Sequence, residues 1–191
     1  LGKLIGQNWS QWNTQRQGKI NEWKELRNYV FATDTTTTSN STLPWKNKTT
    51  IPKLCQIRDN LHSNYISALF PNDEWVKWEG YSLNDATKQK KDAIEAYIRN
   101  KCRINGFRTI TSQLIYDYIV YGNVFGTVDY EIRYRPGRRT NEMVVAYQGP
   151  VLKRISPLDI VFDPTAATFE KAPKIVRSLV TIGELYEMAD S

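Results

Sequence analysis

The sequence predicts an α+β fold in which helices come first and a small antiparallel sheet of short strands follows. Up to about residue 121, apolar residues recur every three or four positions, which is the period of a helix. Beyond residue 123 they recur mainly at every second position, which is the period of a half-buried strand. Helices followed by strands favour an α+β domain over a doubly wound parallel sheet, in which the two alternate.

The first half contains four predicted helices. The first carries an apolar stripe over residues 9–30, and a polar loop rich in Thr and Ser follows at residues 34–42. The second begins near Thr50, where Pro52 suits an early helical position, and ends before Pro71. Its predicted inward stripe consists of Leu54, Ile57, Leu61, Tyr65, Ala68 and Leu69.

Start and stop residues bound the third and fourth helices. Ser82 and Asp85 resemble a capping box at the start of the third helix, and Gly106 is a left-handed stop at its end. The fourth helix covers residues 109–121 and ends at Gly122. The side chains predicted to face inward on these two helices are Ala86, Ala93, Tyr97, Ile98, Cys102, Ile110, Leu114, Ile115 and Tyr118.

The second half is predicted to consist of short strands. A strand over residues 123–135 and a run at 143–147 flank a turn, so the two should form an antiparallel hairpin. The predicted buried face of the first strand consists of Val124, Val128, Tyr130, Ile132 and Tyr134. Three more short strands are predicted at residues 151–155, 160–162 and 175–180. Thr181 and Glu184 form a capping-box start for a last helix.

Three parts follow from this pattern: an amphipathic helix over residues 1–32, a Thr/Ser-rich loop over 33–49 and an α+β domain over 50–191. Because the sequence starts at Leu1 and stops just inside a helix, we expect it to be a fragment of a longer chain. It contains no apolar run of about 18 residues, so no membrane segment is expected. Cys55 and Cys102 suit a reducing cytosol, and the sequence leaves open whether they pair.

Catalytic signals are weak. Asp117 together with alternating Asp129, Glu131 and Arg133 faintly resembles a metal-dependent nuclease, but any solvated strand face alternates in the same way. His62, the single histidine, falls on the predicted polar side of its helix and has no nucleophile motif beside it. We therefore expect no enzyme activity, no catalytic or metal-binding residues and no cofactor.

Two groups of side chains are candidates for binding. The net charge of +6 permits contact with nucleic acid. Four hairpin arginines are weak candidates for phosphate contacts, although a solvated turn is the commoner explanation for them. They are Arg133, Arg135, Arg138 and Arg139. Five tryptophans are expected to divide between the core and a subunit interface rather than a ligand pocket: Trp9, Trp12, Trp23, Trp75 and Trp78.

Three stretches, in this order, resemble the portal (head-to-tail connector) proteins of tailed, podovirus-like bacteriophages. They are NKTTIPKLCQIRDNLHSNYISALFPNDEWVKWEG at residues 47–80, LIYDYIVYGNVFGTV at 114–128 and GPVLKRISPLDIVFDP at 149–164. The resemblance depends on the succession of the three stretches. It falls on the wing-like part of those proteins, and the stem, clip and crown expected after the wing lie outside the sequence.

The resemblance implies a structural subunit of a ring of identical chains, roughly twelve of them, at the capsid vertex of the virion. Such a ring is a conduit for double-stranded DNA during packaging and ejection, without sequence specificity, and forms the head-to-tail junction. Implied partners are the viral terminase, the major capsid protein and tail adaptor proteins, with assembly in the host cytoplasm and no membrane. The alternatives are a nucleic-acid-binding module of other origin and a metal-dependent nuclease.

Overall fold

The computed structural model describes residues 1–31, 52–79, 85–137 and 142–190. Within these ranges the α+β fold class is confirmed, because five helices precede the strands and a sixth follows them. The elements in chain order are α1 (Gly2–Gln15), α2 (Gln17–Phe31), α3 (Lys53–Leu69), α4 (Asp85–Ile104), α5 (Phe107–Tyr121), β1 (Phe125–Pro136), β2 (Met143–Ile155), β3 (Ile160–Phe162), β4 (Lys174–Val176) and α6 (Ile182–Asp190).

Helix boundaries set by local chemistry lie where they are predicted. Gly106 and Gly122 have φ angles of 64° and 66°, so both occupy the left-handed conformation expected of helix stops. The backbone N–H of Thr181 donates to Glu184 at 2.6 Å, and that of Glu184 donates back to the Thr181 hydroxyl at 3.3 Å. This confirms the capping box before α6, whereas Ser82 lies outside the described residues.

The predicted first helix is wrong in one respect, because it is two helices that break at Arg16. The Arg16 guanidinium donates to the carbonyl oxygens of Pro157 at 2.9 Å and Leu158 at 2.7 Å, and also to that of Ile160. These carbonyls belong to the turn that leads into β3 and to the first residue of β3. The break thus ties the amino-terminal helices to the strand region through partners more than 140 residues away along the chain.

Helix α5 is the centre of the fold and packs against α2, α3, α4 and β2. Its Asp117 side chain is fully buried and accepts two hydrogen bonds from Arg154 of β2. The Nη2–Oδ1 distance is 2.7 Å, and Nε donates to the other carboxylate oxygen. The Asp117 carboxylate raises the pKa of Arg154, as a paired anion should. One ion pair therefore joins the helical half to the hairpin.

The strands form two separate antiparallel pairs, β1 with β2 and β3 with β4. The β1–β2 hairpin is confirmed, with a bulge between Arg133 and Tyr134. The two strands predicted within residues 143–155 are wrong, since they form one continuous strand through Gly149. Its φ of 152° favours glycine, and a Cβ there would lie 2.9 Å from the Tyr147 hydroxyl. The predicted strand at 175–180 is shorter, because β4 ends at Val176.

The predicted buried face of β1 is wrong, because its apolar side chains are the exposed ones. Thr127, Asp129 and Glu131 are half-buried instead. Lys153 of β2 lies close to both acidic side chains and neutralises them, so the polar face can be partly covered without leaving unpaired charge.

The predicted inward stripe of α3 is also wrong, because the helix packs on α5 through its opposite side. Arg58 donates to the Tyr116 hydroxyl at 2.9 Å, and its guanidinium carbon lies 5.0 Å from the ring centres of both Phe31 and Tyr116. The exposed residues are Leu54, Ile57, Leu61, Tyr65, Ala68 and Leu69. Polar side chains that find partners on α5 therefore decide which side of α3 is covered.

A similar correction applies within α4 and α5. Tyr97 and Tyr118 were predicted inward but are 61% and 52% exposed, and Ala93 is exposed too. Asp117, which precedes Tyr118 in sequence, is buried instead, because its carboxylate pairs with Arg154. The loop at residues 34–42 and the hairpin turn at 138–141 lie outside the described residues.

Removal of the Asp117 carboxylate should destabilise the fold. In Asp117→Ala the Arg154 guanidinium stays partly buried but loses its partner. An unpaired buried charge is strongly destabilising, and because the Arg154 side chain is 35% exposed, the cost is reduced to about 2–4 kcal/mol. We expect the free energy of unfolding in urea to fall by that amount. The control Asp92→Ala removes an exposed carboxylate from α4 and should change it by about 0.5 kcal/mol or less.

A double variant tests whether the unpaired charge causes this loss. Asp117→Leu with Arg154→Met removes both charges and should recover most of the stability lost in Asp117→Ala. A double variant as unstable as the single one would show that the unpaired Arg154 charge is not the cause of the loss.

Candidate functional site

Among the exposed apolar side chains of the described residues, two groups form stripes, one along the hairpin and one along α3. The hairpin stripe runs along β1 and crosses to β2, with Val128 and Tyr130 exposed at 67% and 66%. It consists of Val128, Tyr130, Ile132, Tyr134 and Val145. Tyr134 and Val145 are direct cross-strand partners, so the stripe is continuous across the hairpin.

The helix stripe is the exposed side of α3 and consists of Leu54, Ile57, Leu61, Tyr65 and Leu69, of which Tyr65 also lies edge-on to Tyr118 of α5. Its members are three or four positions apart, so they form one row along the helix. Single exposed apolar residues are ordinary on protein surfaces, whereas contiguous rows of this length are typical of contact surfaces. The two stripes differ in shape, since one lies on a twisted hairpin and the other on a cylindrical helix.

Four charged side chains of the hairpin, Asp129, Glu131, Arg133 and Lys153, form one ion-pair network. Lys153 Nζ lies 3.0 Å from Asp129 Oδ2 and 2.6 Å from Glu131 Oε1, and Arg133 Nη2 lies 2.8 Å from Glu131 Oε2. Lys153 is the main cause that holds the pKa of Glu131 below its ordinary value, and Arg133 adds to it. Glu131 and Asp129 in turn raise the pKa of Lys153.

This network bears on the nuclease hypothesis. A metal site at Asp129 and Glu131 needs carboxylate oxygens that are free to bind a cation. Here the Lys153 ammonium occupies the place between them, and Asp117 lies elsewhere, buried against Arg154. Among the described residues no three His, Cys, Asp or Glu side chains are arranged to hold a metal ion.

Two of the four arginines of the basic hairpin cluster, Arg133 and Arg135, belong to the described residues. The Arg133 guanidinium is bound to Glu131 and lies 5.8 Å from the ring centre of Tyr147. Arg135 is exposed, while Arg138 and Arg139 fall outside the described residues. A phosphate contact by these arginines therefore stays a prediction.

The five candidate tryptophans occupy different environments. Trp23 is buried with its ring edge-on to Tyr121, and Trp75 is half-buried in an aromatic cluster. Trp9 is half-buried under the guanidinium of Arg177, 5.6 Å from its ring centre. Trp12 is half-buried as well. Trp78, at 49%, is the most exposed of the five and remains available for a partner.

His62 was predicted on the polar surface of its helix, and that placement is wrong. Its Nε2 lies 3.0 Å from both the carbonyl oxygen and the hydroxyl of Ser112, and its ring is edge-on to Tyr116. His62 therefore links α3 to α5. The sequence contained no local signal for this contact, because Ser112 lies 50 residues away.

No protein-family model and no curated protein matches the chain. Neither of the two cysteines, both half-buried, is in a disulfide. Among the helices of the described residues, none has the length and apolar character that crossing a membrane requires.

Replacement of Lys153 by Met should raise the pKa of Glu131, because the ammonium group is the main cause of its depression. A carbon-detected NMR titration of the Glu131 carboxyl measures this directly. Lys171→Met, an exposed lysine outside the network, should leave that titration unchanged. An unchanged Glu131 pKa in Lys153→Met would contradict the described network.

The same network sets the sign of a pH effect. The folded-state pKa of Glu131 lies below its unfolded-state value, so its stabilising contribution is present above the unfolded-state pKa. That contribution is lost as the pH falls through the folded-state pKa. In Lys153→Met this acid-dependent loss should shrink, which urea unfolding at a series of acidic pH values can measure.

Proposed function

We propose that the chain is a structural, non-catalytic subunit of a bacteriophage portal ring, which passes double-stranded DNA at the capsid vertex and joins head to tail. The observation that carries the proposal is the pair of unlike apolar stripes, both exposed in the single chain. Within the virion, its other partners would be the major capsid protein and tail adaptors. Terminase would dock on it while the particle is assembled in the host cytoplasm.

A closed ring requires two different contact surfaces on every subunit. In a cyclic assembly each subunit places one surface on its neighbour's other surface, whereas a two-fold dimer pairs one surface with itself. The hairpin stripe and the helix stripe are different surfaces on different elements. They supply the two sides of such a junction between neighbouring subunits.

The shape of the hairpin supports the same proposal. A two-stranded hairpin is marginally stable alone, and among the described residues α5 is the main element that packs on it, through β2. Toward the turn, Tyr134, Val144 and Val145 are exposed. Packing against a neighbouring subunit would cover these side chains and stabilise the outer part of the hairpin.

Electron microscopy and mass photometry of the full-length gene product test the proposal. We expect closed rings with a central hole and a mass that is a fixed multiple of the chain. Compact monomers with tight, salt-sensitive DNA binding would favour a different nucleic-acid-binding module. Magnesium-dependent DNA cleavage that is lost in Asp129→Asn would favour a nuclease.

Two substitutions test whether the stripes form the junction. Ile132→Lys places a charge in the hairpin stripe and Leu61→Lys places one in the helix stripe, so each variant alone should fail to close rings. Mixed together, the two variants retain one competent junction and should form dimers. The controls Asn64→Lys and Arg135→Lys alter exposed polar positions on the same elements and should still form rings. Rings from both stripe variants would rule out this junction.

A further inference from the structure

A cleft of about 460 Å³ lies between the second half of α4, the start of α5 and the segment that follows α3. Its inner wall is aromatic, because Phe70 is buried and Trp75 and Phe107 are half-buried. Its outer edge is basic, with Arg99, Arg103 and Arg108. The volume is within the ordinary range for small-molecule sites, which is roughly 300–1,000 Å³.

Three aromatic rings that contact one another line the cleft. The rings of Trp75 and Phe107 are stacked with centres 5.3 Å apart and planes within 4° of parallel. Phe70 is edge-on to both, at 5.0 Å from Trp75 and 6.3 Å from Phe107. A planar group that enters the cleft can continue this arrangement, since aromatic rings attract one another in stacked and edge-on geometries.

The positive charges at the edge are placed where they destabilise the helices that carry them. Arg99 and Arg103 are one turn apart on the same side of α4, where like charges repel. Arg108 lies in the first turn of α5, where the helix dipole is already positive. Among the described residues that line the cleft, Asp73 is the single acidic one. Three guanidinium groups against one carboxylate leave a surplus of positive charge that an anion would neutralise.

The neighbouring contacts leave this charge largely available. Glu74 comes within 3.9 Å of Arg99, but both side chains are substantially exposed, at 68% and 39%, so the pair is weak. Arg103 donates to Asn100 at 3.3 Å, and Arg108 lies 5.7 Å from the Phe70 ring centre. Neither of these two contacts neutralises a guanidinium group.

We infer that this cleft binds a nucleoside phosphate, with the base against the aromatic wall and the phosphate at the arginines. Guanidinium groups bind phosphate oxygens through paired hydrogen bonds, and stacking on aromatic side chains accepts any base. Inorganic phosphate alone would leave the rings unused, and an aliphatic acidic peptide could not stack on them. A ring-forming structural role has no need of such a site, so the inference goes beyond the proposed function and does not depend on it.

Titration calorimetry on the full-length protein tests the ligand class. Deoxyadenosine monophosphate should bind saturably, and both inorganic phosphate and deoxyadenosine should bind at least about tenfold more weakly, because each lacks half of the contacts. Arg103→Gln should weaken nucleotide binding by about tenfold or more. Arg27→Gln, an exposed arginine on α2 that does not line the cleft, should leave the affinity unchanged. Both substitutions are at exposed positions, and circular dichroism verifies that the variants fold.

Cys102 provides a second readout inside the cleft. Burial raises the pKa of its thiol, so modification by a disulfide reagent is best followed at mildly alkaline pH. In a Cys55→Ser background, bound deoxyadenosine monophosphate should slow the modification of Cys102. At a nucleotide concentration near the dissociation constant of the unsubstituted protein, the protection should be much smaller in Arg103→Gln.

Oligonucleotides distinguish the source of the nucleotide. A free nucleotide that binds more tightly than a short single-stranded oligodeoxyadenylate indicates a small-molecule ligand, and the reverse order indicates a nucleotide unit within a strand. Either order supports the inference. A dissociation constant for the nucleotide weaker than about 1 mM, equal affinity in Arg103→Gln, or an acidic peptide that binds where nucleotide does not would each overturn it. Ring assembly is measured in a separate experiment, so the failure of one proposal can be distinguished from the failure of the other.

Discussion

The ion pair between Asp117 and Arg154 is the buried contact between the two halves, and hydrogen bonds from Lys101 and Asn105 to β2 add to it. A fully buried carboxylate is tolerated only with a close partner, because an unpaired charge in the interior is far less stable than one in water. That requirement fixes the rotation of α5 about its axis and the register of β2 against it. Since α5 also packs on α2, α3 and α4, the same contact places the helical layer relative to the hairpin.

Once the hairpin is held in this way, the described elements leave part of their apolar surface exposed. Polar partners on α5 take the inner side of α3 through Arg58 and His62, so the apolar side of that helix faces outward. On the hairpin, Lys153 draws Asp129 and Glu131 into an ion-pair network on one face, and the alternate apolar side chains are left exposed. Both exposed stripes thus follow from polar contacts made elsewhere.

This origin explains what the sequence could and could not predict. Helix ends at Gly106 and Gly122 and the capping box at Thr181 were predictable, because each depends on residues a few positions away. Hydrophobic periodicity identified α3 and β1, but it assigned the wrong side to the interior in each. The choice of side depends on Arg58, His62 and Lys153, whose partners are distant in sequence or on another strand. Arg16 and Arg154 were missed for the same reason, since an arginine that binds buried groups has no local signature.

The arginines also separate two uses of positive charge that the net charge of +6 cannot distinguish. Arg16, Arg58 and Arg154 each bind oxygen atoms of a neighbouring element, so their guanidinium groups stabilise contacts within the fold. Arg99, Arg103 and Arg108 instead gather at one cleft beside aromatic rings and a helix start, with a single lining carboxylate. A fold selected only for stability would disperse such charges, because their mutual repulsion lowers the free energy of unfolding. Their concentration at a cavity is therefore better explained by an anion than by packing.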